Sequence, residues 1–278
     1  MASAFKQEEK SRVVSLMGII NLSPDSFYQK SRSGSEKDAV LLAERHIEEG
    51  AEILDIGAES SRPGSTPISE ELEWQRLIPV VSEICKWFDV PVSVDTYKPR
   101  VAERVLEAGA TLINDITGLQ KTPEMAKIIA QNKAGVILMH MLGTPETMQD
   151  RPCYENVIQD IKIFLNKSIN LAENAGIRSI VIDPGIGFGK TQAHNLELIR
   201  RLGEFQELGK PILLGVSRKS FIGGVLKLPV EERLEGSLAA TVIGVLNGAT
   251  LIRTHDVRAT GRAVKMARAI MGNGVQER

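Results

Sequence analysis

The sequence predicts a single (β/α)8 TIM barrel, and three observations predict it. Eight short β-branched runs recur along the chain, each is followed by a segment with helical apolar spacing, and polar residues collect at the C-terminal end of nearly every run. Continuous apolar strands alternating with helices call for a parallel sheet buried on both faces. The 278 residues suit one barrel, and no linker, low-complexity segment or charge block divides them. Periodicity alone does not demonstrate closure, so a doubly wound open sheet stands as the alternative.

In chain order the runs are VVSLMGII from Val13, EILDIG from Glu52, PVSVD from Pro91, TLIND from Thr111, GVILMH from Gly135, SIVID from Ser179, PILLG from Pro211 and TLIRT from Thr250. Helices are expected after Ser35, Ser69, Pro99, Pro123, Tyr154, Ala193 and Val230, where apolar residues recur at three and four and several segments open on Ser, Thr or Pro. Trp74, Trp87 and Cys85 fall in the helix after Ser69 and are expected in the core. His46 and His194 are expected at the surface, and the polar residues 1–12 are expected to form a flexible tail.

Bulk chemistry removes several function classes. A formal net charge of −1 provides no broad basic field for nucleic acid or an anionic membrane, so an anionic ligand must be met by a local cluster. The two cysteines, Cys85 and Cys153, lack metal-ligand spacing and suit a reduced, cytoplasmic setting. The start MASAFKQEEKSR has no apolar core for a signal peptide, and no run approaches the roughly 20 apolar residues of a membrane span.

The stretch DPGIGFGKT from Asp183 resembles a phosphate-gripping loop but fails its spacing. Only three residues separate Gly185 from Gly189, and one position earlier stands Pro184, which has no N–H to offer a phosphate. Its setting at a strand end is more informative. Asn21, Asp55, Asp95, Asn114 with Asp115, His140, Asp183, Ser217 with Lys219, and Arg253 with His255 all end strands. In a barrel these positions converge on one rim, where such folds place their chemistry. A helix cap or loop-closing hydrogen bond explains Asp55 and Asp115 equally well. Capping does not explain Lys219, Arg253 and His255 beside carboxylates.

Eight motifs in order, MGIINLSPDSF from Met17, GAEILDIGAESSRPGS from Gly50, SVDTYK from Ser93, LINDITG from Leu112, MHMLGTPETMQ from Met139, DPGIGFGKT, SRKSFIG from Ser217 and RTHDV from Arg253, closely resemble the dihydropteroate synthase family of pterin-binding TIM barrels. Two departures lie in loops. Ala58 and Ser61 stand where the family usually has Gly and Thr, and Tyr28, Gln29, Lys30 and Ser31 replace its usual Ser-Asp-Gly-Gly.

The resemblance implies condensation of 6-hydroxymethyl-dihydropterin pyrophosphate with p-aminobenzoate to dihydropteroate and pyrophosphate in folate biosynthesis, in a cytoplasmic homodimer that is a sulfonamide target. By the same resemblance Asp95, Asn114, Asp183, Lys219 and Arg253 bind the pterin, with Asp95, Lys219 and Arg253 as catalytic residues. Asn21, Arg62, Arg253 and His255 would hold the pyrophosphate, with Asn21 on Mg²⁺. Phe27, Ser61, Arg62, Pro63, Phe188, Lys219 and Ser220 would hold p-aminobenzoate. The chemistry suits a dissociative substitution in which Asp95 steadies a pterinylmethyl cation. The loops Ser23–Gly34 and Ala58–Pro67 are expected to close once the pyrophosphate substrate is present. Alternatives are a pterin-dependent methyltransferase acting on a corrinoid partner, which has little use for SRKSF or SSRPG, and a non-catalytic pterin-binding paralogue.

Overall fold

All eight predicted runs form strands: β1 (Ser15–Asn21), β2 (Ile53–Gly57), β3 (Val92–Asp95), β4 (Leu112–Asp115), β5 (Gly135–Met139), β6 (Ile180–Asp183), β7 (Leu213–Leu214) and β8 (Leu251–Thr254). The computed structural model describes residues 13–22, 35–59 and 64–272. The strands are parallel and follow chain order around the sheet, with β1 between β2 and β8. A bridge between Ile182 and Ile212 joins the two ends, and the Ile182 N–H donates to Pro211 O at 3.0 Å. The strand order never reverses, so the doubly wound alternative falls and the barrel closes.

Strand alternation builds the interior in layers. Met17, Ile53, Leu112, Ile137, Val181, Leu213 and Leu251 form a buried apolar cluster of their own, separate from the larger core around it. This is the barrel floor. Side chains repeat every second residue along a strand, so the positions two residues further on lie one layer above it. Along the even-numbered strands those positions are Asp55, Asn114, Asp183 and Arg253. Alternate strands filling one layer is the packing rule of this fold, and here that layer is polar.

The outer helices are α1 (Glu36–Glu48), α2 (Glu70–Trp87), α3 (Pro99–Glu107), α4 (Glu124–Gln131), α5 (Val157–Asn174), α6 (Gln192–Arg200), α7 (Ser220–Leu226), α8 (Leu234–Leu246) and α9 (Val257–Ile270). Ser35 and Ser69 cap α1 and α2 by accepting first-turn N–H groups at 3.2 Å. Asn156 caps α5 and Thr191 caps α6, while Pro99 opens α3, where its missing N–H leaves no helical acceptor unpaired. Val230 begins only a short 3-10 turn before α8, and α9 after the last strand was not among the predicted starts.

Three side chains depart from expectation. His46 is buried, its Nε2 paired with Ile19 O at 3.0 Å and its ring filling the space beside Gly18. Trp87 is 63% exposed and donates its indole N–H to Glu83. His194 is half-buried and works as a cap, accepting the Thr191 N–H on Nδ1 at 3.3 Å. Trp74 and Cys85 pack against the core as expected. Among the described residues no helix is long and apolar enough to cross a membrane.

Candidate active site

The polar layer above the floor is organised by Asp55. This carboxylate is fully buried, and its Oδ2 accepts from Arg253 Nε at 2.6 Å and from Asn114 Nδ2 at 3.3 Å. Its Oδ1 has no hydrogen-bond partner among the described residues. Arg253 turns its Nη2 toward Asp95, 3.5 Å from Oδ2. One guanidinium thus spans two acids and is fixed in its plane. Burial works against the Arg253 charge, but Asp55 and Asp95 outweigh it and hold the pKa above its ordinary value.

Asp95 ends β3 and is the acid with the least support. Burial raises its pKa to about 7, against the pull of Arg253 and with the repulsion of Asp55. Asp183 ends β6 and accepts the Gly185 N–H on Oδ1 at 2.7 Å, and burial raises its pKa despite Lys219 nearby. Lys219 donates to Ile186 O and lies 4.7 Å from the centre of the Phe188 ring. Burial lowers its pKa to about 8, while Asp183 pulls it up. Both Asp95 and Lys219 therefore change charge close to neutrality, a frequent property of reacting groups.

The DPGIGFGKT loop now has a physical explanation. Gly185, Gly187 and Gly189 all take positive φ. A Cβ on Gly185 would lie 1.9 Å from His140 O, so only glycine lets this loop press against the end of β5. Lys190 is buried beneath it, with Nζ 3.0 Å from His140 Nδ1 and donating to Phe188 O at 2.9 Å. The lysine ties the loop to β5. The glycines bring Phe188 and Asp183 to one wall of the pit.

Next to this wall the loops after β7 and β8 are paired residue by residue. Ser217 Oγ lies 2.9 Å from His255 Nδ1 and accepts the His255 backbone N–H at 3.2 Å. Arg218, held at φ 54°, donates to both oxygens of Asp256 at 2.8 and 2.9 Å. Lys219 is the N-cap of α7, and Ser220, its first residue, is exposed. Burial lowers the His255 pKa to about 3, so the ring is neutral. Asn21 ends β1, half-buried.

A second charge cluster sits at the rim. Lys98 Nζ donates to Glu59 and Glu73, each at 2.5 Å, and to Ile68 O at 2.8 Å. Glu59 also accepts from Tyr97 Oη at 2.8 Å and from the Ile68 N–H at 2.9 Å. The cluster fastens both described ends of the β2–α2 connection to the residues after Asp95.

The structure therefore brings Asp95, Asn114, Asp183, Lys219, Arg253 and Phe188 to one pit, with Ser217 and His255 paired beside Lys219 in the β7 and β8 loops. Phe27, Ser61, Arg62 and Pro63 lie outside the described residues. Asp115 proves to be a loop-closer, accepting from Thr117 and Leu119. Asp55 and Ser217 were named among the strand-end residues but given no ligand role, and Lys190 was named only within the DPGIGFGKT stretch. For Asp55 a signal existed, since it follows Ile53 by two residues in an otherwise apolar run.

The chain matches the family model described as pterin binding enzyme over residues 17–255. A Clostridium beijerinckii dihydropteroate synthase is 47% identical over 92% of this chain and 94% of its own length. The Bacillus subtilis dihydropteroate synthase is 43% identical over 98% and 93%. Among solved structures, a Yersinia pestis dihydropteroate synthase with a sulfonamide drug complex superposes with a TM-score of 0.90 at 40% identity, covering 94% of this chain and 95% of that one. A Thermus thermophilus dihydropteroate synthase in complex with 4-aminobenzoate gives 0.84 at 41% identity, covering 93% and 95%. The chain belongs to the pterin-binding enzyme family, and within it to the dihydropteroate synthases.

Proposed function

We propose that this chain condenses 6-hydroxymethyl-dihydropterin pyrophosphate with p-aminobenzoate, releasing pyrophosphate, by a dissociative substitution centred on Asp95. The single observation that carries this reading is the convergence of Asp95, Asn114, Asp183, Lys219 and Arg253 above one apolar floor. A pterin edge alternates donors and acceptors, and each one left unpaired on burial costs free energy. Asp183 accepts from the amino group and ring N–H, Asn114 serves either sense, and Lys219 donates to the ring carbonyl. Arg253, fixed by Asp55, offers a flat cationic face for stacking.

Loss of the diphosphate places positive charge on the methylene and the ring conjugated with it. Asp95, poorly stabilised as an anion by its burial, gains most when that charge develops. Such differential stabilisation is what accelerates a reaction. The arylamine nitrogen then attacks the methylene carbon and gives up a proton. Lys219, Phe188, Ser220 and the undescribed Phe27, Ser61, Arg62 and Pro63 form the arylamine site.

Arg253, His255, Asn21 and Arg62 receive the pyrophosphate. Among the described residues no three His, Cys, Asp or Glu side chains could together hold a metal. The neutral amide of Asn21 fits a Mg²⁺ ion that keeps most of its waters and is carried by the diphosphate. When bound, the ion offsets the leaving group's negative charge.

A cytoplasmic homodimer is the proposed assembly. It is supported by exposed Ile243 and Leu246 on α8 and Met266 and Ile270 on α9, an apolar surface suited to a second copy. Sedimentation of Ile243→Glu as a monomer would support that interface, and an unchanged dimer would exclude it. The activity is tested by p-aminobenzoate consumption that requires both the pterin pyrophosphate and Mg²⁺. Consumption without the pterin substrate, or none with all components present, would overturn the reading.

A further inference from the structure

The Ser217–His255 pair carries an inference beyond these assignments. Ser217 is buried, and its oxygen already accepts the His255 backbone N–H at 3.2 Å. Its own hydroxyl hydrogen must also be used, because a buried donor without an acceptor is costly. Among the described residues the hydrogen-bonding atom that remains for it is His255 Nδ1, at 2.9 Å. That bond requires a lone pair on Nδ1, which leaves the ring's one hydrogen on Nε2. We propose that Ser217 is a positioning residue that holds His255 in the neutral Nε2–H tautomer, so that the ring presents an N–H donor to the departing diphosphate.

The opposite tautomer would turn a nitrogen lone pair toward an anion and repel it. The geometry is stabilised by the next rung, since Arg218 and Asp256 join the same two loops through two further hydrogen bonds. The low proton affinity of the buried ring is consistent with a neutral donor. Arg253 supplies charge nearby, and His255 supplies direction. The inference rests on the reading that His255 meets the diphosphate.

The chain has four histidines, so long-range proton–nitrogen NMR of the labelled enzyme, with His255→Gln to assign the signal, reads the tautomer directly. The wild type should show Nε2 protonated and Nδ1 bare. Ser217→Ala should lose that preference and bind inorganic pyrophosphate about tenfold more weakly, the loss of one hydrogen bond to a charged group. Its binding of dihydropteroate, which has no phosphate, should be unchanged. Ser217→Thr, which keeps the hydroxyl, should restore both readouts and guards against a folding defect in the alanine variant. An unchanged tautomer in a folded Ser217→Ala enzyme would overturn the positioning role. Undiminished pyrophosphate affinity in a folded His255→Leu enzyme, which has no side-chain donor at this position, would instead overturn the phosphate assignment of His255.

Discussion

Two buried clusters in this molecule share one composition, a single cation between two carboxylates, and differ in what is left over. At the rim, Lys98 spends its three donors on Glu59, Glu73 and Ile68 O, and Glu59 gains Tyr97 and the Ile68 N–H besides. In the pit, Arg253 bonds Asp55 at 2.6 Å but stands 3.5 Å from Asp95, and Asp55 Oδ1 is unpartnered among the described residues. Unused hydrogen-bonding capacity and a carboxyl held at about 7 mark the second cluster as one prepared for a ligand. The first is closed, and its role is to hold the connection after β2. Charge stoichiometry does not separate structure from catalysis; satisfaction does.

Removing the central cation is the strongest way to break this contrast. Lys98→Met leaves Glu59 and Glu73 buried without a counter-charge and should lower unfolding free energy by about 3–5 kcal/mol in urea titrations. A loss below about 1 kcal/mol would show that the cluster is not closed as described. Asp95→Asn should behave in the opposite way. It removes an acid that the fold disfavours, so stability should hold or rise, while turnover should fall by about 10²–10³. Pterin pyrophosphate affinity should change little by comparison in calorimetry.

Smaller effects sharpen the comparison. Asp55→Asn keeps the shape but takes the charge from Arg253 Nε, and kcat/KM for the pterin substrate should drop by about 10–100-fold. Loss confined to the KM of p-aminobenzoate would contradict the link between Asp55 and the pterin face. The pH profile should show the mildest change. The working form of Asp95 is the carboxylate, which is lost as pH falls through about 7, and the working form of Lys219 is the ammonium, which is lost as pH rises through about 8. A narrow bell in kcat/KM should result, reporting free-enzyme groups. Asp95→Asn should erase its acidic limb.

Much of this was legible in the chain because strand alternation and strand ends are local properties. β1 to β8 fall on the eight β-branched runs, with β1 reaching one residue past its own, and the polar residues at or beside the ends of nearly every run reach the rim whatever their neighbours are. What was hidden is pairing across the barrel. Asp55 and Arg253 are 198 residues apart, Lys98 and Glu59 39, and Ser217 and His255 38. No spacing rule covers such pairs. His46 misled for the same reason, since its space is vacated by Gly18 on a strand 28 positions earlier. Trp87 misled because a helical repeat gives the face of a residue but not whether the final turn still touches the sheet; it is the last residue of α2.

The most direct test of the central claim is the isotope effect on kcat/KM of deuterium at the methylene carbon that leaves the diphosphate. If Asp95 steadies a cation, that carbon flattens before the arylamine bonds to it, and a clearly normal secondary effect should appear. The effect should persist whether p-aminobenzoate is scarce or abundant. A value near unity under conditions where chemistry limits the rate would mean that the amine bonds as the diphosphate leaves, and the account built on Asp95 would be wrong.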